Sequence, residues 1–160
     1  MMGIFEWIQT WPIAVEIGIS PWLFPAIESI HVLAVVLVIG SIARVDLRLL
    51  GYIHRDIPIT EVESLLLPWS WTSFAVAAIT GGLLFTSTAV RYVENFWFDT
   101  KMILLALIFI NMMYFEKVVF KSGANWNTAA LPPFNVRLSG ALSLIFWVGV
   151  ITTGRLIGFT

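Results

Sequence analysis

Residues 26–51 read AIESIHVLAVVLVIGSIARVDLRLLG. An apolar run opens on Glu28 and His31 and closes on Arg44, Asp46 and Arg48. A helix of about 20 apolar residues crosses the hydrocarbon of a bilayer, so this stretch has the length of a membrane span. It carries an imidazole and a carboxylate three residues apart, on one helical face. At that depth an ionisable group costs on the order of 3 kcal/mol unless something partners it. Compensation for Glu28 and His31 is therefore the central question of the chain.

The composition agrees with a lipid environment. The 160 residues are 59% hydrophobic and 12% charged, with mean hydropathy +0.90. A soluble domain carries about 25% charged residues. Net charge is −1, and no basic tract offers nucleic acid a footprint. The absence of cysteine excludes disulfides, thiolate zinc, iron–sulfur clusters and covalent haem attachment through CxxCH. The start, MMGIFEWIQTWPIAVEIG, lacks the basic opening and small-residue cleavage site of a secretory signal, so it is expected to be retained.

Four segments have spanning length, at about 22–50, 62–89, 98–120 and 134–159. The fold expected is all-α: an integral membrane four-helix bundle forming a single domain over residues 1–160. Gly51 follows the first span, and Thr60-Glu61-Val62-Glu63 has the form of a capping box before the second. Gly123 and Pro132-Pro133 bracket the last connection. Residues 3–19 interleave Trp7, Trp11 and Ile17 with Glu6, Gln9 and Glu16. They read as an amphipathic interfacial helix, with Pro12 bending or dividing it. Arg44, Arg48, Arg55, Lys117, Lys121 and Arg137 lie on one side of the spans, and Arg91, Lys101 and Arg155 on the other. That asymmetry is expected to put the first and third connections of a multi-pass protein in the cytoplasm and both termini outside.

His31 lies about nine residues inside the first span, roughly 14 Å from its outer end. Its face continues through Val35, Val38, Ile42 and Asp46 and should look into the bundle. Lys101 starts the third span, and Arg155 precedes the outer end of the fourth. A carboxylate, an imidazole and cations at one depth suit an anionic cofactor with an apolar body, and haem b is the candidate. His31 would be the metal ligand and Glu28 the acceptor that orients its ring. Lys101 and Arg155 would hold the propionates, with Trp147, Trp69, Trp71 and Phe74 walling the porphyrin. Each residue also has a plainer reading: a structural histidine, snorkelling cations, belt tryptophans. His54 belongs to the inner connection and does not complete a second ligand. Asn111, in the middle of the third span, should face the interior for a hydrogen-bonding partner.

The stretch IHVLAVVLVIGSIARVDLRLLG resembles the first helix of a group of small bacterial inner-membrane proteins. That group includes HemJ-type protoporphyrinogen oxidase and CopD-type membrane domains. FDTKMILLALIFIN is similar to the third-helix Lys motif of the group, and LSGALSLIFWVGVITTGRLIGF resembles the last helix of an uncharacterised branch. The likeness to HemJ-type proteins implies haem b ligation through His31 and a functional Lys101. A second histidine of those proteins has no counterpart here, its region being held by Asn111. The likeness to CopD-type domains implies copper handling. The expected function is thus a haem-binding, cytochrome b-like protein in electron transfer or in porphyrin- or quinone-linked oxidation, an oxidoreductase if it is an enzyme at all. A redox partner or quinone and a homo-oligomer accompany that reading. The alternatives are a copper or small-solute transport component and a non-catalytic assembly subunit.

Overall fold

The computed structural model describes residues 2–119, 126–129 and 131–159. Two short helices, α1 (Met2–Gln9) and α2 (Pro12–Ile19), precede the long α3 (Leu23–Leu49). After a turn come α4 (Ile59–Ser87), a short α5 (Ala89–Val93) and α6 (Phe96–Tyr114). A π-helical turn, Phe115–Val119, extends α6, and α7 (Phe134–Ile157) completes the chain. No strand occurs among the described residues. The protein is all-α, and α3, α4, α6 and α7 are long and apolar enough to cross a membrane. It is a multi-pass membrane protein. Leu33, Ile79, Ile103 and Ile145, one from each of these helices, are more than half exposed; lipid is the solvent that suits such faces.

Helix α3 is the hub. It packs along α4 on one side and α7 on another, and α6 packs on α7. Small residues permit the close crossing of α7. A Cβ on Gly140 would lie 3.0 Å from the Asp46 carbonyl oxygen and 3.1 Å from Leu49 Cβ. Val38, Trp147 and Val150 form a buried cluster midway, and Leu49, Ile59, Phe115, Trp126 and Val136 form another at the inner end. Polar side chains pair across the helices because hydrocarbon offers them no alternative. The Ser70 hydroxyl donates to Ser41 Oγ at 2.7 Å. Asn111 does face the interior, where its amide donates to the Ser139 carbonyl at 3.0 Å and accepts from the Ser139 hydroxyl at 3.1 Å.

The local details divide the N-terminal segment as Pro12 leads one to expect and replace the expected cap of α4. The N-terminal helix is two helices, because Pro12 has no N–H to donate and begins α2 after a break at Thr10–Trp11. Both pieces pack on the bundle: α2 buries Ala14 and Ile17, and Gln9 Nε2 donates to the Ser87 carbonyl at 3.4 Å. The capping box does not form, since α4 begins earlier, at Ile59. Its first turn is capped instead by Asn127, whose Oδ1 accepts from the Thr60 N–H at 2.9 Å and whose carbonyl accepts from the Ile59 N–H at 3.0 Å. The third span ends in the π-helical turn; Phe120, Lys121 and Gly123 lie outside the described residues.

The cationic cluster at the C-terminal end of α3 divides. Arg44 is exposed, whereas Arg48 is completely buried. Arg48 Nε donates to the Ile57 carbonyl at 3.0 Å, and both terminal nitrogens donate to the Ala129 carbonyl at 3.3 Å. One guanidinium thus ties the α3–α4 turn to the segment ahead of α7. Arg48→Met retains the apolar stem but orphans both carbonyls. It is expected to cost about 1–3 kcal/mol, read as a lower unfolding midpoint in detergent, while exposed Arg44→Met leaves the midpoint unchanged.

Candidate functional site

His31 projects from α3 onto α4. Its Nδ1 lies 2.9 Å from the Ala77 carbonyl oxygen and 3.1 Å from Thr80 Oγ1. Thr80 spends its own proton on the Val76 carbonyl at 2.7 Å, so toward His31 it offers a lone pair. Two acceptors facing one ring nitrogen require that nitrogen to carry the hydrogen. The neutral imidazole is therefore protonated on Nδ1, and Nε2 bears a lone pair without a hydrogen-bond partner among the described residues. The ring tip rests on Gly81, where a Cβ would come within 3.0 Å of Cε1. Gly81 is the recess that admits the ring.

The acceptor expected at Glu28 is thus supplied by α4. Glu28 is exposed near the start of α3 and acts on His31 only through its charge. The reason is geometric: a carbonyl on the facing helix meets the ring edge in line, which an i−3 carboxylate on the same helix does not. Glu28 also lies within electrostatic reach of Tyr92. Burial pushes the Tyr92 hydroxyl above its ordinary pKa, with the Thr88 hydrogen bond opposing, Glu28 adding to the rise and Arg91 countering it.

Lys101 is half-buried beside Gly154, its ammonium 3.8 Å from where a Cβ would stand. It also lies within electrostatic range of His31. Arg155 is exposed, its guanidinium stacked 5.0 Å over the Phe159 ring. Trp147 does not accompany His31. It packs with Val38, seven residues further along α3, hence about 10 Å deeper. Trp69 is exposed, and Trp71 and Phe74 belong to a deeper level than His31 as well. The aromatic residues gathered at the outer end are others: Phe85 stacks on Phe98 and Tyr92, with Phe5 edge-on.

A second feature is a cavity of about 200 Å³ toward the C-terminal end of α3. All four spanning helices line it, through Val38 and Asp46, Glu63 and Trp71, Phe109 and Asn111, and Ser143 and Trp147. Asp46 and Trp147 are each about 95% buried, yet Asp46 Oδ2 and Trp147 Nε1 have no hydrogen-bond partner. The Ser143 hydroxyl stands beside the Asp46 carboxyl. His31 lines neither this cavity nor the outer groove around Arg91 and Glu94. Among the described residues no three His, Asp or Glu side chains gather as a metal cage.

The seating of His31 predicts a contrast between adjacent glycines. Gly81→Val drives a branched side chain into the ring and should cost about 1–3 kcal/mol. Gly82 has open space around it, so Gly82→Ala should be neutral or gain up to about 1 kcal/mol of helix propensity. Thermal unfolding of the two variants in detergent measures both.

No curated protein and no solved structure matches the chain. The model of a family of unknown function (DUF6644) does match it, over residues 4–160. That match takes in all four spanning helices and the His31 site, and the chain belongs to this family.

Proposed function

We propose that the protein is a membrane-embedded haem b protein in which His31 Nε2 would ligate the iron. The observation that carries this reading is the imidazole held from α4 by its Nδ1–H, with the Nε2 lone pair left over. A ligating histidine has this form: the second nitrogen donates to a backbone carbonyl, which sets the tautomer and ring direction. The donor set also favours a macrocycle. One imidazole with no further His, Asp or Glu gathered around it among the described residues is a poor copper cage, whereas haem brings four nitrogens of its own. Lys101, turned toward the His31 level, is the cation placed to neutralise a propionate, and Arg155 is a second at the outer surface.

Bound haem would supply one-electron chemistry, in electron transfer or in a porphyrin- or quinone-linked oxidation. The chain's own residues do the rest. Ala77 and Thr80 keep Nδ1 protonated, Gly81 admits the ring, and Lys101 offsets anionic charge. The resemblance of the His31 and Lys101 helices to HemJ-type proteins adds to the reading. In the orientation proposed, the Arg48 end faces the cytoplasm of a bacterial cell and both termini face the periplasm, following the lysine and arginine asymmetry.

Titration of purified protein with hemin tests this. The expected result is a saturable Soret band, with sharp visible bands on reduction, lost in His31→Ala and retained in His54→Ala. Thr80→Val, which removes one support of the tautomer, should weaken hemin binding by about tenfold. A wild-type protein that never develops a Soret band, or one whose band survives His31→Ala, overturns the proposal. Bound copper without porphyrin absorbance would move the assignment to metal handling.

A further inference from the structure

The inner cavity has a chemistry of its own. Asp46, Glu63 and Glu116 line it, and among the described residues no Lys, Arg or His does. Neither Glu63 nor Glu116 forms an ion pair among the described residues. The remaining walls are apolar and aromatic, with Trp71, Phe74 and Trp147 prominent. Acidic residues gathered at an inner membrane edge would not by themselves make a site. Asp46 is different: it is 4% exposed, it lines the cavity, and its Oδ2 is unpartnered. A buried acceptor left without a hydrogen bond is destabilising, and more so when charged. That cost is recovered only when a donor or a cation enters.

Access exists. Although α4 and α6 both line the cavity, their backbones barely touch. Trp71 and Phe74 from α4 and Phe109 from α6 flank the gap, each between two-fifths and three-fifths exposed. A molecule partitioned in the bilayer would pass these rings on its way to the carboxylate. Aromatic faces attract cations through the negative face of the ring. An anion would meet carboxylates only, and a strongly hydrated metal ion would find apolar walls over most of its surface.

We propose that this cavity binds a small lipophilic organic cation, a protonated amine or quaternary ammonium on an apolar body, with Asp46 as its counter-ion. The apolar body lies against Val38, Phe74 and Trp147, and the cationic head lies at Asp46 toward the inner surface. The unpartnered Trp147 Nε1–H offers a hydrogen bond to a hydroxyl or ether oxygen of such a molecule. This site is separate from the His31 site: Asp46 lies fifteen positions further along α3, about 22 Å along the helix. It does not rest on the haem reading.

The test uses the full chain in lipid nanodiscs, with benzyltrimethylammonium titrated by calorimetry against empty nanodiscs. Neopentylbenzene, which has the same shape without the charge, serves as competitor. Saturable binding of the cation is expected, with the uncharged analogue competing at least about tenfold more weakly. Asp46→Asn should lower affinity for the cation by about tenfold or more, and His31→Ala should leave it unchanged. Trp71→Leu, a change on the lipid-exposed wall that any folded form tolerates, should weaken the cation several-fold and the analogue less. Equal competition by neopentylbenzene, full affinity in Asp46→Asn or in Trp71→Leu, or no saturable binding to the parent chain overturns the proposal.

Discussion

Every polar side chain within these helices must find its partner inside the protein, because the hydrocarbon around them supplies none. That constraint organises the bundle around α3. On one side the helix hands His31 and Ser41 to α4, which answers with the Ala77 carbonyl, Thr80 and Ser70. On another it presents Asp46 to α7, which answers with Gly140 and Ser143. At its inner end Arg48 holds the turn and the segment before α7 together. Apolar packing gives the helices contact area. These polar ties determine which faces meet and at what depth.

Among the described residues the same constraint leaves polar atoms without a protein partner in two places, toward opposite ends of α3. Toward its start it is the Nε2 lone pair of His31, left over by the very hydrogen bond that seats the ring. Toward its end they include Asp46 Oδ2 and Trp147 Nε1, at a cavity lined by two further carboxylates. Buried polar atoms are otherwise satisfied in folded proteins, so such exceptions point to ligands. One site carries a neutral nitrogen donor and a nearby ammonium, the other only acids and rings. Their chemistries differ accordingly, and so do the ligands proposed for them.

Much of the architecture was legible in the amino-acid order. Hydropathy located the four spans to within about three residues at most ends, and the helical period placed Val38 and Asp46 on the inward face of α3. The division of the N-terminal segment followed from the missing N–H of Pro12. What could not be read were contacts made by groups without a sequence signature. The acceptor for His31 is a backbone carbonyl, identical in every residue. The one hint was the cluster of small residues from Ala77 to Gly82, which marks where another helix's side chain enters. The cap of α4 comes from Asn127, 67 residues away from Thr60. Trp147 was misplaced because span ends give depth only roughly, and an indole seven residues too deep belongs to a different site. The cavity takes residues from all four helices, so only the assembled bundle reveals it.

The claim on which the haem assignment rests is the tautomer of one imidazole in the bilayer. Nitrogen-15 magnetic resonance of histidine-labelled protein in lipid reads it directly, and a His54→Asn background leaves a single histidine to observe. The account predicts a protonated Nδ1 with a short hydrogen bond and a bare or metal-bound Nε2. A His31 ring protonated on Nε2, with its Nδ1 bare, would contradict it.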